Sequence, residues 1–516
     1  MERSSWSSRS TFILAAVGSA VGLGNAWRFP GLVAKHGGGA FLFVYLIAMV
    51  CLGIPLLMME ISIGRKMRSG APGALRGINK KAEWIGWAAT SNAFIIACYY
   101  AVVFSWVILM VFMSYKFAAF TNLPDMSERL NAAKNLWAQT IQTTGTVTGW
   151  STISIPVVIC LVIAWGLIYY CIRNSAHSVG KVIKYIVFMP IVILVIMAIK
   201  GLTMDGAMEG IKRLFIPDFS TLTSPGIWVD AFGQVFYSMS VMMAIMFAYG
   251  SYLSDDSNIA VDGLIIAFSD IAVSLLAGVV MFSTMGGTGM LDNMSASGVS
   301  TAFMIYPQTI VSLTNVGWFN ALFGVLFYLC LVTLAIDSAF SIVEGVSSAI
   351  SDKFGFQLKK TTIGVCIVAG IISLIFTTGA GMAYVDIVDN WTNQYNMVIV
   401  GVLECVAVGY MFKTSKVLHE VNRNTGKIKM PSWWFNAAIK VIAPLLLTIL
   451  VCWNLGSLFT SGGIYGAADG YTLASNIWAG WIITILAFLS GAIVRIIVKR
   501  NKKFREREES FKAWED

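Results

Sequence analysis

The sequence predicts an all-α polytopic membrane protein with twelve transmembrane helices. Of the 516 residues, 57% are hydrophobic and only 12% are charged, whereas globular domains average about 25% charged residues. The hydrophobic residues also form runs long enough to cross a bilayer. One crossing takes about 20 apolar residues, so twelve of them use roughly 240 and leave the rest for loops and tails. This composition excludes a soluble enzyme, a β-barrel and a coiled coil.

The apolar runs, bounded by charged or turn residues, are taken in chain order as spans 1 to 12. They are predicted at 11–33, 39–65, 86–116, 150–171, 181–199, 228–252, 260–286, 319–352, 361–377, 383–412, 431–457 and 473–498. The segment 290–317, between spans 7 and 8, is too polar and interrupted to cross a bilayer. We expect it to form a helical cap over an extracellular vestibule.

Spans 1 and 6 carry unusual polar interruptions. Span 1 reads GSAVGLGNAWRFP over 18–30, and span 6 reads GQVFYSMSVMMA over 233–244. Irregular backbone is tolerated at membrane depth only where it lines a cavity or binds a ligand. Glycine-mediated helix packing is a weaker explanation for span 1, because Asn25 and Arg28 accompany the glycines. The serines of span 6 could simply bond to their own helix.

The two interrupted spans stand five apart in the chain. This spacing predicts an inverted five-plus-five helix repeat whose broken first members meet at the midplane. The expected organisation is a cytoplasmic tail (1–10), a first repeat of spans 1–5 (11–200), an extracellular loop (201–227), a second repeat of spans 6–10 (228–413), spans 11 and 12 (431–500) and a basic cytoplasmic tail (501–516).

The net charge of +9 reflects the orientation of the spans in the membrane, and no nucleic-acid partner is predicted. Most basic residues lie in alternate connections, including both terminal tails, so the positive-inside rule predicts two cytoplasmic termini and an even number of spans. The run RNKKFRER after span 12 is expected to contact lipid headgroups. The outside loop at 117–149 contains neither a cysteine nor an N-x-S/T sequon, which favours a bacterial plasma membrane over an animal cell surface.

Carboxylates inside a membrane are costly and usually functional. They are Glu60, Asp270, Asp337, Asp389 and Glu404. Asp337 lies in LAIDSAF in the middle of span 8, with no histidine or cysteine beside it. Hard oxygen ligands of this kind suit an alkali or alkaline-earth cation, although a lone aspartate could instead carry a proton.

Other functional classes fit the sequence less well. An enzyme needs a cluster of nucleophilic or metal-binding residues, but His36, His177 and His419 lie in separate loops. A channel needs a continuous polar pore, whereas the polar residues here converge on one level of the membrane. The eight cysteines all fall inside apolar runs without C-x-x-C spacing, so we expect them to fill space in the core.

The motifs in spans 1, 6 and 8, together with GGGAF at 37–41, resemble those of the neurotransmitter:sodium symporter family, including its bacterial leucine transporters. The resemblance extends from Trp6 to about residue 500 and implies sodium-coupled uptake by alternating access. It also implies that a substrate and two sodium ions bind between spans 1, 3, 6, 7 and 8.

The resemblance assigns ligands to both ions. The first sodium would be held by Ala20, Asn25, Ser238 and Asp270, together with the carboxylate of the substrate. The second sodium would be held by Gly18, Val21, Leu334, Asp337 and Ser338.

The resemblance also assigns a substrate pocket and two gates. The pocket would be formed by Ser19, Ala20, Leu23, Gly24, Ile96, Tyr100, Tyr237, Ser238, Ser240, Met243, Ser338 and Ile342. Tyr100 would bind the substrate carboxylate, and Tyr237 would form an aromatic lid. Arg28 and Asp389 would close the outer gate through a loose, hydrated pair. The inner gate would consist of Arg3, Trp6, Tyr252 and Asp352.

Three departures from the family pattern affect these assignments. Span 6 lacks the glycines that many relatives place after the serines, which leaves its unwound geometry open. Ser19 replaces an asparagine. Asp270 replaces an asparagine in span 7, close to Tyr45, Gln234, Ser238 and Ser274, the positions at which animal members bind chloride. A fixed carboxylate there predicts chloride-independent transport.

The predicted function is sodium-coupled import of a neutral, apolar to aromatic L-amino acid. Monoamine carriers of the family hold an aspartate where this chain has Gly22, so an amino acid that brings its own carboxylate fits better. A proton-coupled carrier of the same fold is the main alternative, and a channel or polytopic membrane enzyme is the alternative from another class. The sequence leaves the oligomeric state and the exact amino acid open.

Overall fold

The computed structural model describes residues 5–173, 176–294, 297–511 and 513–514. Within these ranges the chain is almost entirely helical, and the extended pairing consists of two isolated β-bridges, Gly38 with Pro217 and Ile153 with Thr378. Nine of the described helices are long and apolar enough to cross a membrane, and two bent helix pairs raise the number to eleven. Span 6, which is divided into two shorter helices, completes the twelve.

The spans follow the predicted order closely. Their bounds are Arg9–Ala20 with Gly24–Lys35 (span 1), Gly39–Met67 (span 2), Lys80–Met113 (span 3), Ile155–Ile172 (span 4), Ala176–Leu202 (span 5), Pro225–Ser238 with Ile245–Ser251 (span 6), Ile259–Gly287 (span 7), Gly317–Phe354 (span 8), Leu358–Thr377 (span 9), Gly381–Tyr410 (span 10), Ser432–Thr460 (span 11) and Leu473–Arg500 (span 12). The predicted fold class is confirmed.

Shorter helices lie in the connections. They are Ala71–Ile78 before span 3, Lys116–Thr121 and Met126–Ile141 before span 4, Ala207–Phe215 before span 6, Thr414–Val421 after span 10 and Lys502–Glu509 after span 12. The segment at 290–317 forms short helical turns, among them Thr301–Ile305 and Tyr306–Ser312. Phe303 of this segment stacks on Trp137 with ring centroids 5.0 Å apart, so the cap is anchored to the loop after span 3.

Local sequence explains where several spans begin and end. Span 1 starts after Ser8, whose hydroxyl accepts from the Thr11 N–H, and span 7 starts after Asn258, whose side chain accepts from the Val261 N–H. Such caps satisfy amide groups that the first turn of a helix leaves free. Span 8 ends at Phe354 and is followed by Gly355, which adopts φ +71°, a conformation that glycine accepts without steric cost.

The predicted start of span 4 at residue 150 is five residues too early. The helix begins at Ile155 because the preceding residues pair with the loop before span 10, where Ile153 bridges Thr378. Pro156 then occupies the first turn of the helix, a position that needs no amide hydrogen.

The breaks in spans 1 and 6 lie in the centre of the bundle. Span 1 bends by 47° between its two halves. In span 6 the backbone unwinds between Ser238 and Ile245, and Ser240, Met242 and Ala244 adopt φ values of +52°, +64° and +62°. The break therefore forms without glycine, at a cost of about 1–2 kcal/mol for each left-handed residue.

Candidate functional site

One cavity of about 20 Å³ lies where the breaks of spans 1 and 6 face spans 3 and 8. It is lined by Ser19, Ala20, Gly22, Leu23, Gly24, Asn25, Ile96, Tyr100, Tyr237, Ser238, Ser240, Met243, Ser338 and Ile342. The structure thus brings together every residue that the sequence analysis assigned to the substrate pocket. Gly22 and Asn25 are the two additional lining residues.

Hydrogen bonds join the two breaks at the floor of this cavity. The Ser240 hydroxyl donates to the Ser19 carbonyl at 2.8 Å, and the Ser19 hydroxyl donates to the Ser240 hydroxyl at 3.2 Å. Ser240 lies in the unwound backbone of span 6 and Ser19 lies in the last turn of Arg9–Ala20, so these bonds supply partners for polar groups at a helix end and at a break. The breaks are therefore held against each other.

The cavity combines polar and apolar walls. The buried Tyr100 hydroxyl has no hydrogen-bond partner among the described residues, and the amide end of Gly24–Lys35 carries the positive end of a helix dipole. Ile96, Met243 and Ile342 supply the apolar wall. This arrangement suits a ligand with an anionic group at one end and an apolar group at the other.

Two glycines leave no room for a side chain beside the cavity. A Cβ atom at Gly22 would lie 2.5 Å from the Ser338 hydroxyl, and one at Gly24 would lie 2.6 Å from the ring of Tyr237. The close approach at Gly24 allows the tyrosine ring to pack directly on the backbone of span 1.

Asp270 lies at the centre of a buried polar cluster next to this cavity. Its carboxylate accepts from the Asn25 amide at 2.7 Å, from the Tyr45 hydroxyl at 2.8 Å and from the Ser238 hydroxyl at 3.1 Å. The Asn25 amide also donates to the Ser274 hydroxyl at 2.8 Å. The carboxylate thus occupies the point on which these hydroxyl and amide groups converge.

Gln234 stands slightly apart from this cluster. Its side-chain amide donates to the Gly24 carbonyl at 3.3 Å, and its Oε1 has no partner among the described residues. Of the four positions that the resemblance associates with chloride, Tyr45 and Ser238 donate directly to Asp270. Their hydroxyl hydrogens are therefore committed to a carboxylate.

A second, smaller cavity of about 10 Å³ lies between the first half of span 1 and spans 5, 7 and 8. Its lining includes Gly18, Val21, Leu334 and Asp337, together with Pro190 of span 5. Four of the five residues assigned to the second sodium meet there. The fifth, Ser338, lines the first cavity instead, and its hydroxyl donates to the Ser19 carbonyl at 3.4 Å.

Asp337 has one carboxylate oxygen without a partner. Its Oδ1 accepts from the Ser341 hydroxyl at 3.5 Å, whereas the buried Oδ2 has no partner among the described residues. A Cβ atom at Gly18 would lie only 1.8 Å from this Oδ2. The carboxylate therefore reaches the backbone of span 1 two residues before Arg9–Ala20 ends. Carbonyl oxygens and a carboxylate are the ligands that hard cations prefer.

A larger vestibule of about 510 Å³ lies beside this first cavity. Arg28, Tyr237 and Asp389 line it, and Tyr237 and Tyr100 line both cavities. The Arg28 guanidinium lies 5.8 Å from the centroid of the Tyr237 ring. Asp389 accepts from the Tyr99 hydroxyl at 2.8 Å, so each member of the proposed outer pair contacts a tyrosine.

The N-terminal segment packs against the second half of span 6, where the inner gate was predicted. The Trp6 indole donates to the Tyr249 carbonyl at 3.0 Å, and the Trp6 amide donates to the Tyr252 carbonyl at 3.1 Å. Asp352 accepts from the Gly70 amide at 2.7 Å. Arg3, the fourth residue assigned to this gate, lies outside the described residues.

Two buried glutamates near the site were not given roles by the sequence analysis. The Glu344 carboxylate accepts from the Tyr252 hydroxyl at 2.5 Å, and the Glu60 carboxylate accepts from the Met242 amide at 2.6 Å inside the break of span 6. Glu344 follows Asp337 by seven residues, so it lies two turns further along the same helix face. That spacing from Asp337 could have identified Glu344 from the sequence. Nothing near Glu60 in the sequence predicts its contact with Met242.

Comparisons with known proteins agree with this architecture. The sequence profile of the sodium:neurotransmitter symporter family matches residues 3–123 and 118–502. An uncharacterized sodium-dependent transporter of Methanocaldococcus jannaschii is 35% identical, with 98% of this chain and 99% of that protein aligned. The human inactive sodium-dependent neutral amino acid transporter B(0)AT3 is 27% identical over 98% of this chain and 93% of its own.

A solved structure shares the fold. The crystal structure of MhsT in complex with L-phenylalanine superimposes with a TM-score of 0.73 at 26% sequence identity, covering 87% of this chain and 99% of that one.

Proposed function

Because the chain belongs to the sodium:neurotransmitter symporter family, whose members are sodium-dependent transporters and not enzymes, we propose that it imports a neutral L-amino acid with an apolar to aromatic side chain. The observation that carries this proposal is the cavity between the two breaks. It joins the Tyr100 hydroxyl, which has no partner within the described part of the chain, and a helix amide end to an apolar wall.

The substrate carboxylate would bind at the polar end of the cavity. Tyr100 would donate its hydroxyl hydrogen, and the amide groups at the start of Gly24–Lys35 would add favourable electrostatics. Gly22 has no space for a side chain beside Ser338, so the chain itself offers no carboxylate at this point. A substrate that carries its own carboxylate fits this arrangement, and a monoamine does not.

The substrate side chain would lie against Ile96, Met243 and Ile342. These residues form a flexible apolar surface, since methionine adapts readily to different shapes. In support of an aromatic substrate, MhsT was solved with L-phenylalanine.

Two sodium ions would accompany the substrate. One would bind near Asp270 and Asn25 and share the substrate carboxylate as a ligand, so each would increase the affinity for the other. The second would bind between Asp337 and the end of Arg9–Ala20. The Asp337 Oδ2 has no partner among the described residues there, and Gly18 and Val21 line the same cavity. Hard oxygen donors of this kind suit an alkali cation better than a transition metal.

We propose that transport does not require chloride. A chloride ion about 5 Å from the Asp270 carboxylate would be repelled by roughly 3 kcal/mol at an effective dielectric constant near 20. Two of the three hydroxyl groups that could hold it, those of Tyr45 and Ser238, already donate to the carboxylate. Asp270 would thus supply the negative charge that offsets the sodium ion.

The proposed location is the plasma membrane of a prokaryote, with both termini in the cytoplasm. The distribution of Lys and Arg supports this orientation. In this orientation the outer gate consists of Arg28, Tyr237 and Asp389. The inner gate consists of Trp6, Tyr252 and Asp352. Alternating access would require the two sets of contacts to open in turn.

Uptake by the purified chain in proteoliposomes tests the function. We expect accumulation of labelled phenylalanine, leucine or another apolar amino acid when external sodium is present and none when choline replaces it. Phenethylamine, which lacks the carboxylate, should not compete. Binding of phenethylamine without binding of phenylalanine would refute the assignment of the polar end, and uptake driven by a pH gradient without sodium would favour the proton-coupled alternative.

A further inference from the structure

A long apolar groove lies on the outer face of the bundle, away from the substrate and sodium cavities. It has a volume of about 890 Å³ and is bounded by spans 3, 8, 9 and 12. This volume falls in the range of about 300–1,000 Å³ that is typical of small-molecule sites. Most of its wall is formed by aliphatic and aromatic side chains such as Phe94, Val368 and Ile493.

The groove has the length of one leaflet. Along span 9 its lining begins at Gln357, the residue before the helix, and ends at Val368, a separation of about 16 Å at 1.5 Å per residue. The hydrocarbon core of a bilayer is about 30 Å thick, so the groove extends from the membrane surface to about the midplane. An acyl chain that enters from the surface covers the same depth.

Basic residues lie at the surface end of the groove. Lys360, in the first turn of span 9, is the single charged residue among the described lining. On span 12 the lining residues Ser490, Ile493 and Ile497 follow helical spacing, and Arg500 is the next residue on that face. Both basic side chains are exposed, so an anionic headgroup could reach them.

Gly364 keeps the middle of the groove open. It lies one turn beyond Lys360 in the lining of span 9, and a Cβ atom built on it would meet no other atom within 4 Å. A chain of methylene groups can therefore pass this point without displacing any side chain.

We propose that this groove binds one anionic phospholipid of the leaflet that faces the basic C-terminal tail. One acyl chain lies along spans 9 and 12, and the phosphate pairs with Lys360 and Arg500. A second copy of this chain fits less well. A twofold axis along the membrane normal would bring the basic ends of both copies to the same level, where like charges repel.

The site would connect lipid binding to the centre of the transporter. Its inner wall is formed by spans 3 and 8, and Phe94 of that wall lies two residues before Ile96 of the substrate cavity. A bound lipid therefore supports two helices that also carry Tyr100 and Ser338.

Native mass spectrometry of the full chain tests this proposal, with phosphatidylglycerol and phosphatidylcholine of identical acyl chains as probes. We expect the parent protein to retain one phosphatidylglycerol with a preference of roughly 10- to 30-fold, as two basic side chains near an anionic headgroup should give. Gly364→Phe should fill the groove and reduce retention at least about tenfold. Lys360→Gln combined with Arg500→Gln should bind both lipids alike.

The matched control is Gly166→Phe on span 4. Gly166 is exposed, lies outside the groove and also has no atom within 4 Å of an added Cβ, so this variant should retain the lipid as the parent does. Equal retention by the parent and Gly364→Phe would overturn the proposal. So would a dimer that Gly364→Phe abolishes while lipid retention is unchanged, because the groove would then accept a second copy. The charge variant changes only surface residues, so loss of folding in Gly364→Phe would not prevent the test.

Discussion

At the scale of single residues, Asp270 and Asp337 are both buried beside the break of span 1, but their surroundings differ. Asp270 accepts three hydrogen bonds from an amide and two hydroxyl groups. Asp337 has an oxygen with no partner among the described residues. A buried carboxylate needs compensation, so we expect Asp337 to depend more strongly on a bound cation than Asp270.

This difference predicts the effect of Asp337→Asn. The amide cannot offset the charge of a sodium ion, so concentrative uptake should be abolished and the sodium dependence of substrate binding should become shallower. Substrate binding measured against sodium concentration gives the result directly. As a control, Asp386→Asn changes a carboxylate in the vestibule that accepts from the Tyr471 hydroxyl, and it should leave the sodium dependence intact. Unchanged sodium dependence in Asp337→Asn would show that the assignment is wrong.

A second prediction concerns Asp270→Asn. The parent should transport equally well in chloride and in gluconate, because its own carboxylate offsets the sodium charge. The variant lacks that charge, and Tyr45 and Ser238 are then able to donate to an external anion. Its transport should become chloride-dependent, and the further change Ser274→Ala should weaken the chloride response. Strong chloride stimulation of the parent would contradict the proposed role of Asp270.

At the scale of elements, the break of span 6 is formed by residues that disfavour its conformation. Ser240, Met242 and Ala244 all have positive φ, and none is glycine. Two contacts stabilise the unwound segment: the Met242 amide donates to Glu60 at 2.6 Å, and the Ser240 hydroxyl donates to Ser19 at 2.8 Å. The neighbouring spans thus hold a backbone shape that its own sequence opposes.

Replacing Ala244 with glycine should therefore stabilise the protein. Removal of the left-handed penalty of about 1–2 kcal/mol outweighs the added freedom of the unfolded chain, which costs about 0.4–1 kcal/mol. The melting temperature in detergent should rise. Ala248→Gly, four residues later in the regular helix Ile245–Ser251, should lower it by the usual helix-propensity cost of about 1 kcal/mol. Shifts of the same sign in both variants would argue against strain at Ala244.

The C-terminal helix Lys502–Glu509 is attached by an ionic cluster. Glu508 accepts from Arg76 at 2.7 Å and from Lys353 at 2.9 Å. Partial burial alone would raise the pKa of Glu508. The charges and hydrogen bonds of Lys353 and Arg76 lower it by more, so the pKa lies below its usual value of 4.5. The ionised Glu508 carboxylate therefore stabilises the attachment of the helix at pH values above 4.5. This contribution is lost as the pH falls through the lowered pKa.

Glu508→Gln should reproduce that loss at neutral pH. A partly exposed ion pair contributes up to about 1 kcal/mol, so amide hydrogen exchange in Lys502–Glu509 should become up to about fivefold faster. Glu506→Gln removes a carboxylate whose partner, Lys502, lies 3.8 Å away on the surface, and it should have little effect. Equal exchange rates in Glu508→Gln and the parent would show that apolar contacts alone hold the helix.

Over the fold as a whole, hydrophobic runs predict the twelve spans. A segment that crosses the bilayer must make all of its backbone hydrogen bonds internally, so it forms a long apolar helix. The family resemblance that the motifs of spans 1, 6 and 8 carry predicts which residues meet around the cavity, including Ile96 and Tyr100 of span 3. Partners that depend on tertiary packing could not be predicted in this way. Glu60 is 182 positions from Met242, and Arg28 packs on Tyr237 rather than directly on Asp389. The start of span 4 was missed because the bridge to Thr378 competes with the helix.

The last prediction concerns the charge moved in each transport cycle. Two sodium ions and a zwitterionic amino acid carry two positive charges, which contribute about 4.6 kcal/mol at 100 mV, or about three decades of accumulation. Accumulation in proteoliposomes at fixed sodium gradients should then rise about 100-fold for each ~59 mV of potassium diffusion potential, since one charge gives a factor of ten. If Asp270 takes up a proton and returns it outward, the net charge is one and the rise is only about tenfold. A tenfold rise that does not change with internal pH would instead mean that a single sodium ion is coupled, which would contradict the two-site proposal.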